Sequence, residues 1–331
     1  MKRAIWSWTR TLGGVGILAL LIWRLGSGAF LDGLRVINVW ALAGAFLIGL
    51  LGTVASAWRW SLAARGLGIR LPLKTAVADY YQALFLNATL PGGLLGDVHR
   101  AVHNGRESGN VGRGVRAVML ERFAGQVALF AVGGFVLVVR PTVPLPSVRL
   151  DASSIVVGSV VLVVAVAAGV RWRRAVAAIG SDVRRGLLGR RNLPGVAFSS
   201  AVVLASHLAT FVLAARVAGA TVPILRMLPL MVLALVVMGL PLSIGGWGPR
   251  EGFCAWAFGV AGFGATLGLT VAVVYGVFAF AASLPGVAVL ATRVFANRPT
   301  KATPQPVPVP VPVLELEPER ISIRELEPVF A

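Results

Sequence analysis

Leu90-Pro91-Gly92-Gly93-Leu94-Leu95-Gly96-Asp97-Val98-His99-Arg100 closes one apolar run, and Leu240-Pro241-Leu242-Ser243-Ile244-Gly245-Gly246-Trp247-Gly248-Pro249-Arg250 closes another. The two stretches start 150 residues apart and share the pattern Leu-Pro-x4-Gly-x3-Arg. Each puts helix breakers and a cation where an uninterrupted apolar helix would have neither. Proline removes a backbone donor and interrupts a helix, and glycine allows positive φ and close backbone approach. Breakers at corresponding positions of two halves are the pattern of a binding site built from discontinuous membrane helices. A charged side chain at membrane depth costs a few kcal/mol, so its presence there points to function.

The rest of the chain supports a membrane setting. Its 331 residues are 57% hydrophobic and 13% charged, well outside the soluble range. Six runs are long and apolar enough to cross a bilayer, at about 5–23, 38–58, 117–139, 153–170, 197–219 and 267–290. Two others, about 76–95 and 227–246, are interrupted by the repeated motif. The N-terminal run resembles a signal peptide, but no small-residue cleavage site follows it, so it reads as an uncleaved first helix. The net charge of +18 lies between the apolar runs, as in the cytoplasmic loops of membrane proteins, and this argues against nucleic acid as a partner.

Charge also bears on topology. If both interrupted segments turn back, twenty Lys and Arg fall on the side of the termini and six on the other. That bias makes the rich side cytoplasmic. If segment 76–95 alone crossed, the seven-arginine loop 171–196 would face outward. The expected architecture is therefore all-α and polytopic, with about six spanning helices and two re-entrant hairpins in an inverted repeat; the alternative has eight full spans. Residues 1–295 form the membrane domain. Residues 296–331, with a Pro-Val alternation and then five glutamates up to Glu327, read as a disordered cytoplasmic tail.

The motifs carry the candidate chemistry. Asn87, Pro91, Gly96, Asp97 and Arg100 form the first group. Exposed backbone N–H groups at a helix start suit an anion, and Arg100 can add a bidentate grip on phosphate. Asp97 and Arg100 share a helix face at three residues' spacing. Gly245, Gly246, Arg250 and Glu251 form the second group. Glu121 and Arg122 form a third, inside span 117–139, with Arg100 or Arg116 as expected partners of Glu121. Asp79 reads as a cap of the first hairpin. His99 and His103 lack a third ligand, so no metal is expected, and Cys254, the single cysteine, reads as packing. No Gly-x-Ser-x-Gly, His-Glu-x-x-His or P-loop signature is present. The expectation is a non-enzyme without a cofactor, in which any transport is passive, ion-coupled or dependent on another protein.

The first motif, Glu121-Arg122 within "ERFAG", and "LPLSIGGWGPREG" together resemble the flippase-like membrane region of lysylphosphatidylglycerol synthetases (the multiple peptide resistance factor family). The resemblance runs over about residues 5–292. The family pattern has Gly-Gly before its acidic residue, and Leu95 replaces the first of these glycines here. The resemblance implies a domain that binds and translocates lipids with anionic or aminoacylated headgroups, or a polyprenyl-phosphate lipid. It carries Asn87, Pro91, Gly96, Asp97, Arg100, Glu121, Arg122, Gly246, Arg250 and Glu251 over as motif positions. The aminoacyltransferase domain of the synthetases has no counterpart after Val294, so the resemblance is to a stand-alone form. Two alternatives stand beside translocation: a membrane partner that presents lipid to a separate synthase or glycosyltransferase, and a small-solute transporter.

Overall fold

A computed structural model describes residues 28–90, 93–139, 173–239 and 247–296. The expected spans at 5–23 and 153–170, the tail, and the motif residues Pro91, Gly245 and Gly246 lie outside these residues. The described part is helical: α1 (Gly28–Arg35), α2 (Val39–Gly66), α3 (Leu73–Thr89), α4 (Leu95–Glu107), α5 (Val111–Val139), α6 (Arg173–Gly186), α7 (Leu193–Val217), α8 (Ile224–Met238), α9 (Pro249–Val260), α10 (Ala265–Ser283) and α11 (Pro285–Ala296). Four stretches are long and apolar enough to cross a bilayer: α2, α5, α7 and the continuous 31-residue stretch of α10 and α11. The chain is thus an all-helical, polytopic membrane protein. The described residues up to Arg293 belong to one compact unit.

The helices begin and end where local chemistry dictates. Asn38 caps α2 by accepting from the Ala41 N–H at 2.8 Å. Pro72 and Pro223 stand immediately before α3 and α8, and Pro249 and Pro285 open α9 and α11, where a missing N–H is harmless. The spans run longer than their apolar cores: α2 continues past residue 58 to Gly66, and α5 starts at Val111. Charged and aromatic residues that read as loop or interface therefore lie on helices.

α3 and α8 have 17 and 15 residues, about 25 and 22 Å at the helical rise, short of a hydrocarbon core of roughly 30 Å. Each is followed by a helix that folds back along it. Gly96, at the start of α4, lies against the middle of α3; a Cβ there would sit 2.7 Å from the Ala83 Cα. The far end of α4 returns to the start of α3, where Asn104, Glu107 and Ser108 share a hollow with Gly68, Pro72 and Thr75. In the second half, Met227 and Met231 of α8 and Ala257 and Phe258 of α9 share one buried core. Positive φ at Gly93 (61°) and at Gly248 (106°) sets the entry to each returning helix.

The two halves repeat each other's packing. α2 and α7 run antiparallel at the centre: a Cβ on Gly52 would stand 3.1 Å from Ser206 Cβ, and one on Gly44 would stand 3.6 Å from Leu213 Cδ2. The Trp58 and Phe198 rings meet edge to face at 6.2 Å. Around this pair the contacts come in matched sets. α2–α3 matches α7–α8, α3–α4 matches α8–α9, α4–α5 matches α9–α10, and α2–α5 matches α7–α10. Across the halves, α2–α10 matches α7–α5, α3–α10 matches α8–α5, and α1–α10 matches α6–α5. Two close glycine crossings also match. Gly114 of α5 lies against the Ala101 and Gly105 backbone, and Gly268 of α10 lies against Cys254 and Phe258.

The glycine crossings put corresponding residues 153 or 154 apart, not 150: Gly114 and Gly268 by 154, Ala101 and Cys254 by 153. The segment between α8 and α9 is longer than that between α3 and α4, so the register read at Leu90 and Leu240 is lost before the returning helices begin. Arg100 and Arg250 are therefore not equivalent. Arg100 is in the second turn of α4 and Arg250 in the first turn of α9. Counted from the helix starts, Asp97 and Glu251 are each the third residue of their helix.

Candidate functional site

Five charged side chains meet where α2, α4 and α5 come together. Glu121, fully buried on α5, accepts at one oxygen from Arg59 Nη2 (2.7 Å) and Nε (3.3 Å) and at the other from Arg100 Nη2 (2.8 Å). Arg100 also donates through Nε to Asp97 Oδ1 at 2.9 Å. Its guanidinium lies 4.7 Å from the Trp60 ring centre and 4.4 Å from that of Tyr80. Arg59 reaches across to Ser200 of α7 at 3.1 Å. Asp97 is held in addition by Asn87 Nδ2 (3.1 Å) and by Arg122. Charges this deep cost several kcal/mol each unless paired and hydrogen-bonded; every charge of this network is paired, and Arg100 Nη1 is the one guanidinium nitrogen of the network that is buried without a hydrogen-bond partner among the described residues.

The predicted group Asn87, Gly96, Asp97, Arg100, Glu121 and Arg122 is thus assembled in one place, with roles that differ from the expected ones. Arg100 is only 1% exposed and lines none of the cavities described below. Glu121 pairs with Arg100 as expected, but its other partner is Arg59; Arg116 pairs with Asp182 at 2.7 Å instead. At the start of α4 the Gly96 N–H is not available to an anion, because Asn87 Oδ1 accepts from it at 2.8 Å. Asp79 does not cap α3. It lies well inside the helix, buried, and pairs with Arg293 of α11. Trp60, just past the end of the expected span 38–58, is fully buried beneath Arg100.

The second motif is smaller. Glu251 accepts from Arg250 Nε at 3.0 Å and from the Gly248 N–H at 2.7 Å, closing the first turn of α9 on itself. Arg250 lies 5.1 Å from the Trp247 ring centre and 5.2 Å from that of Tyr275. Both arginines therefore sit between two aromatic faces, which attract a desolvated cation. His207 is hydrogen-bonded across helices, its Nδ1 2.9 Å from the Tyr275 hydroxyl.

Three cavities of about 230, 240 and 230 Å³ surround one side chain, Arg122, which lines them all. The first lies between α2, α7 and α10, and its lining includes Thr53, Ser206, His207 and Tyr275. The second reaches Arg59, Glu121, Gln126 and Ser200. The third holds Asn87, Trp247 and Arg250. Shared walls (Tyr80 and His207, Leu84 and Ala279, Met238) make them compartments of one chamber. Arg122 has 46% of its side chain exposed, against 1–5% for Arg59, Arg100 and Arg250. The chamber and its surroundings hold Arg59, Arg100, Arg122 and Arg250 against Asp97, Glu121 and Glu251, a surplus of one positive charge. Arg59 is the member that sequence reading placed in a loop. The signal available was its position between Trp58 and Trp60, in a helix with no breaker before Gly66.

A polytopic helical protein with a cationic chamber between two similarly packed halves is the class that fold and site define. The chain matches the lysylphosphatidylglycerol synthase TM region model over residues 9–286 and belongs to that family. Comparison with curated proteins and with solved structures finds no match. Membership ties the chain to membrane lipid chemistry.

Proposed function

We propose that the chain binds and translocates a lipid with a phosphate-bearing headgroup, that it does so without enzymatic chemistry, and that Arg122 is the group that meets the phosphate. The observation that carries this reading is the half-exposed Arg122 at the junction of three cavities, in surroundings with one unbalanced positive charge. One phosphate charge would restore the balance. Arg250 faces the third cavity and offers a second cationic contact. Arg59, Asp97 and Glu121 then hold the walls, and Arg100 fixes α4 to α5.

The α3–α4 and α8–α9 pairs act, in this proposal, as re-entrant hairpins of an inverted repeat in the cytoplasmic membrane. The antiparallel α2–α7 pair and the matched contacts support it, since a two-fold axis lying across two antiparallel helices inverts one half relative to the other. Exposed Arg65, Arg70, Lys74, Arg106, Arg113, Arg184, Arg185, Arg190 and Arg191 flank the ends of helices on one face. That face is cytoplasmic by the positive-inside rule, and so are both termini.

Two measurements test the two parts. Native mass spectrometry of the protein purified in mild detergent should find one phosphate-bearing lipid retained, and vesicles containing the protein should move a fluorescent analogue of it between leaflets. Bulk lipids only, with no movement, would overturn the function. For topology, Cys254→Ala removes the single, buried cysteine. Adding Thr221→Cys should then give labelling by an impermeant maleimide in intact cells, whereas Ser108→Cys should react only after permeabilisation. Labelling of Ser108→Cys from outside would mean that segment 76–95 crosses.

A further inference from the structure

The first cavity carries information about the rest of the headgroup. Three hydroxyls of its polar lining have already spent their protons. Thr53 donates to the Gly49 carbonyl at 2.8 Å, Ser206 to that of Val202 at 2.8 Å, and Thr210 to that of Ser206 at 2.9 Å. A hydroxyl has one donor and two acceptor lone pairs. These three residues therefore present acceptors to the cavity, and a ligand that fills it must donate hydrogen bonds.

Both hydroxyl groups and ammonium groups donate, and charge separates them. Among the described residues no carboxylate lines the first cavity, and Glu121, which the second reaches, is held on both sides. Glu121 is fully buried, with both oxygens held by arginines. Asp97 is shared by Arg100, Arg122 and Asn87. Glu251 is fully buried against Arg250 and the Gly248 N–H. An ammonium here would lose its water, meet no carboxylate but only neutral oxygens and the Tyr80, Tyr275 and Phe278 rings, and add to an existing positive surplus. Burying an unpaired charge is the costlier of the two outcomes. Arg122 lines this cavity as well, so phosphate and headgroup fit as neighbours.

We infer that the chamber selects a phosphodiester lipid whose headgroup is uncharged and hydroxyl-bearing, a glycerol or sugar, and discriminates against aminoacylated and other ammonium headgroups. This rests on the lipid-translocating reading above and specifies its substrate class.

The test uses the full chain in phosphatidylcholine vesicles, with tail-labelled probes that differ only in headgroup. Phosphatidic acid carries phosphate alone, phosphatidylglycerol adds hydroxyls, and phosphatidylethanolamine and lysylphosphatidylglycerol add ammonium groups. Phosphatidylglycerol should move at least about tenfold faster than either ammonium probe and severalfold faster than phosphatidic acid, the scale expected of two or three neutral hydrogen bonds. Combining Thr53→Val with Ser206→Ala should erase the advantage of phosphatidylglycerol over phosphatidic acid. If an ammonium probe or phosphatidic acid moves as fast as phosphatidylglycerol, or the double variant keeps the wild-type preference, the headgroup inference falls while translocation stands. If no probe moves, the translocating reading falls, and this inference with it.

Discussion

Replacing Glu121 with alanine is expected to cost the folded protein about 3–5 kcal/mol, the scale found when one partner of a buried ion pair is removed. The reason is local. Arg59 and Arg100 have 5% and 1% of their side chains exposed, and Glu121 is the carboxylate they share. Without it, Arg59 retains Ser200 and Arg100 retains Asp97, but two buried cations face each other. A loss of that size is a large part of the roughly 5–15 kcal/mol that holds a typical domain. Glu121→Gln keeps the volume and one acceptor and should cost less. Thermal melting in detergent, followed by size-exclusion chromatography, reads the effect, and a wild-type melting temperature for Glu121→Ala would contradict it. Pairing Arg59→Met with Glu121→Gln should cost less than the sum of the two, because both act on one contact.

The broad architecture was legible because apolar length is a strong signal. The four expected spans that fall on described residues are helices, and the two interrupted segments carry the shorter helices α3 and α8. The parts that were not legible share a cause: side-chain destinations depend on which helices pack together. Arg59 reads as loop because an arginine between two tryptophans ends an apolar window, yet α2 carries it inward to Glu121, 62 residues further on. Trp60 reads as an interfacial anchor but forms the floor beneath Arg100. The motif match rests on four residues, but the longer segment between α8 and α9 shifts the register by three or four. Arg100 was thereby matched with Arg250, although the two stand in different turns of their helices. Which arginine is accessible could not be read from either motif, since Arg100 and Arg122 belong to the same network and differ only in what covers them.

That difference gives the sharpest functional expectation. Arg122→Ala should lower translocation of a phosphate-bearing lipid by roughly 10- to 100-fold, the equivalent of one charge-assisted hydrogen bond to the headgroup. It should hardly change the melting temperature, because the Arg122–Asp97 pair has one half-exposed member and such pairs add little to stability. Asp97 also keeps Arg100 and Asn87 as partners. Arg100→Ala should do the opposite: a marked drop in melting temperature, from losing the contacts to Glu121, Trp60 and Tyr80, with a smaller effect on the protein that remains folded. Arg122→Lys should fall between wild type and Arg122→Ala, because a point charge replaces the planar fork that spans Asp97 and the headgroup. Wild-type movement in Arg122→Ala would remove this residue from the site and leave Arg250 as the chamber's candidate phosphate ligand.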